Sequence, residues 1–166
     1  MAAFYTESDY EKALIELFES NLGYEYVCGY NIDHNVKSPL YDEVLEESIF
    51  RINKGKPYNA IQNALLTLKN FENGTLVQKN AVFTDYLQNG IPARYTENGE
   101  ECSVLIYLVD WENVDNNSFI CANQWTFIEN SNRRPDILLF INGIPLVLIE
   151  LKSPSREDTD ASEGYT

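Results

Sequence analysis

Three charged residues stand out by what surrounds them. In the segment RPDILLFINGIPLVLIELKSP, Arg134 to Pro154, Asp136 opens one apolar run, while Glu150 and Lys152 close a second. The Asn142-Gly143 pair between the runs predicts a hairpin turn, so all three charges gather at the hairpin's open end. Two carboxylates about 4 Å apart repel by roughly 4 kcal/mol at an effective dielectric near 20, a cost that a cation between them removes. Oxygen donors suit a hard divalent ion, with Mg²⁺ the commonest candidate. Period-two geometry puts Glu150 and Lys152 on one face of their strand, with the ammonium beside the proposed ion. That layout suits phosphodiester hydrolysis: a metal to polarise the phosphate, and a lysine to orient the attacking water or stabilise phosphate charge.

The register of the hairpin decides whether this chemistry is possible. A plain two-residue turn at Asn142-Gly143 pairs Asp136 with Ile149 and sends Glu150 to the opposite face, which destroys the site. A three-residue loop with a bulge at Gly143, or a bulge elsewhere in either strand, restores a common face. A bulged hairpin is therefore predicted. The tripeptide E-x-K has little value alone, since chance supplies a (D/E)-x-K about once in a chain this long. Its weight comes from ending a buried strand whose neighbour begins Pro-Asp, and the structural alternative is a surface ion pair at a strand end.

The elements that must position these residues show in the periodicity. Thr6-Glu7-Ser8-Asp9 forms a variant capping box, followed by Tyr10, Ala13, Leu14, Leu17 and Phe18 at the spacing of one helical face, with Gly23 as a left-handed stop. Further helices are predicted over Asp42 to Asn53, Asn59 to Lys69 and Leu76 to Gln88. After Gly90 the pattern turns extended. Ile91 to Thr96 and Ser103 to Val109 form a hairpin about Asn98-Gly99, at which a sheet is expected to begin. The loop Asp110 to Asn117 is acidic, Phe119 to Ile128 reads as one strand with Trp125 and Phe127 on one face, and Glu129 to Arg134 is a polar connector. The two runs of the Asn142-Gly143 hairpin are apolar on both faces, which predicts two central strands. The tail from Ser155 reads as loop.

Composition bounds the rest. The 166 residues, 44% of them hydrophobic, suffice for one core, so a single α/β domain is expected, helical over about 1–90 and sheet-forming over about 91–154. No apolar stretch is long enough for a membrane span and the acidic N-terminus does not read as a signal peptide, so a cytoplasmic protein is expected. Cys28, Cys102 and Cys121 are widely spaced and read as free thiols. His34, the sole histidine, excludes a helical H-E-x-x-H site and reads as an idle loop residue. A net charge of -14 opposes strong DNA binding by this domain alone. Against it, Arg133, Arg134, Lys152 and Arg156 place four of the twelve basic residues around the proposed site as candidate DNA contacts.

At these residues the chain resembles a known family. The run from Arg134 to Pro154, the opening TESDYEKALIELFESNLGYEY (Thr6 to Tyr26) and VDWENVDNNSFICANQWTF (Val109 to Phe127) are similar to segments of the restriction subunit of type I restriction-modification enzymes, in the same order. The resemblance implies a PD-(D/E)xK core with a mixed sheet flanked by helices, cutting double-stranded DNA with Mg²⁺. Asp136, Glu150 and Lys152 fall on its catalytic positions. Such nucleases often take another acid from the first helix, and Glu11 is the matching residue, a third metal ligand beside Asp136 and Glu150 or a solvated helix carboxylate. The family's glutamine-tyrosine pair after the lysine and its G-x-x-x-x-G-K-[ST] loop are not in the sequence, so a fragment is expected, with ATP serving only the full-length subunit. Expected partners are DNA and the methyltransferase and specificity subunits. Two other readings stay open: a standalone repair-type nuclease with the same metal site, and a docking domain that keeps the fold and binds partner subunits through its acidic surface.

Overall fold

A computed structural model describes residues 6–70, 74–128 and 132–152. It is a mixed α/β structure whose contacts divide into two compact units, one drawn from the chain up to Tyr41 and from Phe119 onward, the other from Asp42–Ser118.

The first unit holds the hairpin of interest. Helix α1 (Glu7–Glu16) starts at the expected capping box: Thr6 Oγ1 accepts from the Asp9 backbone N–H, and the Thr6 N–H donates to Asp9 Oδ2 at 2.8 Å. A π-helical turn (Leu17–Asn21) extends it, and Gly23 then takes φ +73°, reversing the chain as its missing Cβ allows. Strand β1 (Glu25–Cys28) follows, in a region the helical pattern had not marked as extended. It lies parallel to β4 (Phe119–Asn123), which pairs antiparallel with β7 (Ile137–Ile141), itself antiparallel to β8 (Ile144–Ile149); the sheet order is β1-β4-β7-β8. The two-residue strands β5 (Phe127–Ile128) and β6 (Asn132–Arg133) form a separate small pair.

Alternation along these strands builds two packed faces. Cys121, Ile137 and Leu139 point one way, against Leu14, Ile15 and Phe18 of α1 and its extension. Phe140 points the other way into an aromatic cluster, with Trp125 at 4.9 Å between ring centroids, Trp125 in turn 5.0 Å from Tyr41 and stacked on His34 at 4.0 Å. His34 is thus packed rather than idle, with its ring nitrogens 3.0 and 2.8 Å from the carbonyl oxygens of Ile32 and Thr126. Phe140 and Trp125 are completely buried, and Phe140→Ala would cost about 3–5 kcal/mol.

Three expectations need correction here. The predicted strand from Phe119 to Ile128 breaks after Asn123, because Gln124 adopts φ +52° and turns the chain out of the sheet. The hairpin predicted to begin the sheet is a separate two-stranded sheet of the second unit. Among the described residues β8 is an edge strand rather than a central one, with Leu146, Val147 and Leu148 37–53% exposed. An apolar run shows what can be covered, not what covers it.

The second unit contains α2 (Asp42–Ile52), α3 (Tyr58–Lys69), α4 (Leu76–Asn89) and the hairpin β2 (Ile91–Glu97) and β3 (Glu100–Ile106). Helix α3 buries Ala60, Ile61, Ala64, Leu65 and Leu68, the i, i+4 stripe expected of a core-facing helix. Asn53, almost wholly buried, donates to the carbonyls of Ile49 and Tyr107 and accepts from the Tyr107 N–H, so its burial leaves no polar atom unsatisfied. The acidic loop after β3 is organised by Asp110, which accepts from the backbone N–H groups of Glu112 and Asn113 and from the Asn116 amide. The Asn116 bond first, then that from Asn113, holds the Asp110 carboxyl below its ordinary range.

Candidate active site at the end of the sheet

The turn of the β7-β8 hairpin is the plain two-residue form. Asn142 and Gly143 take φ +51° and +76°, the left-handed pair that an Asn-Gly turn supplies, and Ile141 pairs directly with Ile144. The predicted bulge lies further along. Phe140 pairs with Pro145 but Leu139 pairs with Val147, so Leu146 is the extra residue. Pro145 supplies the reason, since proline has no N–H to give the ladder and is tolerated in sheets at edges and bulges. A bond from the Tyr41 N–H to the Gly143 carbonyl at 2.9 Å fixes the tip.

The consequence falls at the opposite end. The last pair is Ile137 with Ile149, so Asp136 and Glu150 each lie one residue beyond it, where an unbroken ladder from the turn would have paired Asp136 with Ile149. Asp136 Oδ2 accepts from the Leu151 N–H at 2.6 Å, which anchors its half-buried carboxylate to the neighbouring strand's continuation. Glu150 is exposed along much of its surface, yet its carboxyl is held above the usual range. Lost hydration is the first cause and the Asp136 charge the second, while Lys152 and Arg133 pull the other way. Asp136, Lys152 and Arg133 therefore all lie near enough to act on the Glu150 carboxyl. Arg134 is exposed beside them, and Arg156 lies outside the described residues.

Glu11 is placed differently. The last row of the sheet runs Cys28, Asn123, Ile137, Ile149. Ile137 and Ile149 pack toward α1, whereas Asp136 and Glu150 lie one residue past the ends of β7 and β8. Glu11 approaches the row from the α1 side and accepts from Asn123 Nδ2 at 2.8 Å. Among the described residues no three His, Cys, Asp or Glu side chains form one group that could hold a metal ion, so Glu11 does not join the Asp136–Glu150 pair in one. The pair still fits a small hard cation, because Mg²⁺ is commonly held by one or two carboxylates, with water and substrate phosphate completing the shell. Sequence reasoning held Asn123 only as part of the family-like segment N-S-F-I-C-A-N-Q and assigned no role to it or to Tyr26, whose hydroxyl donates to Asn123 Oδ1 at 3.0 Å.

The chain matches, over residues 4–166, the family model described as Type I restriction enzyme R protein N terminus. It belongs to that family. As a member of this R-protein family it is 31% identical to the Type I restriction enzyme HindI endonuclease subunit of Haemophilus influenzae, over 96% of this chain and 16% of that protein. It is 33% identical to the Putative type I restriction enzyme MjaIXP endonuclease subunit of Methanocaldococcus jannaschii, over 90% of this chain and 15% of that one. This R-protein segment therefore spans about one-sixth of the length of the curated relatives it matches. Among its described residues, no helix is long and apolar enough to cross a membrane.

Proposed function

We propose that this chain is the Mg²⁺-dependent PD-(D/E)xK endonuclease domain of a type I restriction subunit, cleaving double-stranded DNA within an ATP-dependent complex with methyltransferase and specificity subunits. The observation that carries the reading is the bulge at Leu146, after which Ile137 pairs with Ile149 and Asp136 and Glu150 each lie one residue beyond that pair, with Lys152 two residues further on. In a chain of this family, that placement has a chemical use as well as a structural one.

On this reading Asp136 and Glu150 hold the cation, and the Leu151 N–H keeps Asp136 from rotating away when it is absent. When bound, the cation supplies Lewis-acid polarisation of the phosphate and helps to ionise the attacking water. Lys152, two residues after Glu150, would use its ammonium to orient that water and offset charge on the phosphate oxygens. Arg133 and Arg134 hold the DNA backbone near the pair, with Arg156 as a further contact in sequence. The net charge of -14 makes affinity for DNA a property of the assembled complex.

Plasmid nicking by the full-length subunit in its complex tests the reading. Lys152→Ala should lower cleavage about a hundredfold or more; cleavage equal to wild type would show that these are not the catalytic residues. The same acidic surface favours a second reading, a docking module without catalysis. For that module, Mg²⁺ or Mn²⁺ would change the melting temperature of wild type and Asp136→Ala alike.

A further inference from the structure

The last row of the sheet contains one polar side chain, and its bonding is directional. Asn123 faces a carboxylate, Glu11, on one side and a phenol, Tyr26, on the other. An ionised carboxylate only accepts, so the Asn123 amide nitrogen must face Glu11, its carbonyl must face Tyr26, and the Tyr26 hydroxyl must donate. The result is one chain of donors running from Tyr26 through Asn123 to Glu11, joining β1, β4 and α1. It occupies one Glu11 oxygen, Oε1, and fixes the carboxylate's direction.

The backbone makes Asn123 a firm base for this. Directly after it, Gln124 holds φ +52°, a conformation that costs a non-glycine residue of order 1 kcal/mol and persists only where the surroundings impose it. The surroundings are tight: a Cβ on Gly29, just past β1, would lie 2.6 Å from Trp125 Cα and 2.9 Å from the Gln124 carbonyl oxygen. Trp125 itself is buried to the last atom. Strand β4 therefore stops at Asn123, in the row of Ile137 and Ile149 and one residue short of Asp136 and Glu150.

We propose that Asn123, anchored by the Tyr26 hydroxyl, is a positioning residue of the nuclease centre, holding the Glu11 carboxylate at the sheet end where Asp136 and Glu150 lie. This rests on the nuclease reading above. DNA laid across that end meets both the acid pair and the fixed Glu11. Glu11 then contributes to cleavage without being one of the two residues that retain the cation.

A double-mutant cycle in the full-length subunit within its complex tests this, using plasmid cleavage at saturating DNA. Asn123→Leu and Glu11→Gln should each lower the maximal rate about tenfold, the scale typical for losing an orienting partner, with the half-saturating DNA concentration unchanged. The double variant should lose no more than either single one, because both act through one carboxylate. Tyr26→Phe, which removes a single hydroxyl and keeps the ring, should lose a smaller part of the same rate. Thermal stabilisation of each variant by Mn²⁺ should match wild type, since Asp136 and Glu150 are untouched. Multiplying losses in the double variant, wild-type cleavage by Asn123→Leu, or loss of the Mn²⁺ response in the Asn123 variant would each overturn the proposal. If Asn123→Leu unfolds the domain, the Tyr26→Phe and Glu11→Gln pair carries the same cycle. Lys152→Ala separates the two claims: full cleavage by that variant defeats the nuclease reading itself, whereas its loss together with normal Asn123→Leu cleavage defeats only the positioning role.

Discussion

The molecule contains two hairpins that turn in the same way and end differently. In β2-β3 the turn is Asn98-Gly99, with φ +53° and +84°; in β7-β8 it is Asn142-Gly143, with φ +51° and +76°. From the first turn the register runs without interruption, Glu97 with Glu100 back to Ile91 with Ile106. From the second it slips by one residue at Leu146. A turn fixes only the register next to it, and a bulge can reassign every pair beyond. In β7-β8 that reassignment pairs Ile137 with Ile149 instead of Leu148, leaving Asp136 and Glu150 each one residue beyond the last pair.

The most damaging test of this comparison is to remove the bulge. Deleting Leu146 should restore the uninterrupted ladder, turn Glu150 and Lys152 to the other face, and lower plasmid cleavage by the full subunit about a hundredfold or more. Near-normal cleavage by the deletion variant would mean that register does not matter to the site. The matching change in the other hairpin should act on stability alone. Gly99→Ala places a Cβ at φ +84° in open space, so it should cost about 1 kcal/mol by urea denaturation, with cleavage per folded molecule unchanged.

A smaller effect sharpens the comparison from within the sheet. Cys121 pairs with Leu139, the residue at which the register slips, and burial pushes its thiol up to about 11. In the unfolded chain the thiol ionises near its ordinary value of 9. The unfolded state therefore binds fewer protons between about pH 9 and pH 11, and stability should fall across that window as the thiol contribution is lost. Below it the contribution is fully present. Cys121→Ala should flatten this part of the pH–stability curve, and iodoacetamide should label Cys121 in native protein far more slowly than in urea.

Much of this was legible in the residues. Four helices, both Asn-Gly hairpins and the capping box at Thr6 appear where periodicity and turn chemistry place them. The need for a bulge also followed from parity alone, and Pro145 marked its place for a reader asking which residue cannot donate to a ladder. What was not legible depends on distant partners. Strand β1 is a four-residue strand paired with residues about 95 positions away, and no local pattern announces such pairing. The edge position of β8, the packing of His34 on Trp125 and the bond from Asn123 to Glu11 are likewise contacts between segments far apart in sequence. Glu11 was found by its place on a helix, but the side of the sheet from which it approaches required the strand alternation seen in the structure.

Calorimetric titration of Mn²⁺ into the metal-free domain addresses the central claim most directly, comparing wild type with Asp136→Ala and Glu150→Ala. If the slipped register makes these two carboxylates share an ion, wild type should bind Mn²⁺ at one site and each single variant should lose it. Undiminished binding by either variant would contradict the account.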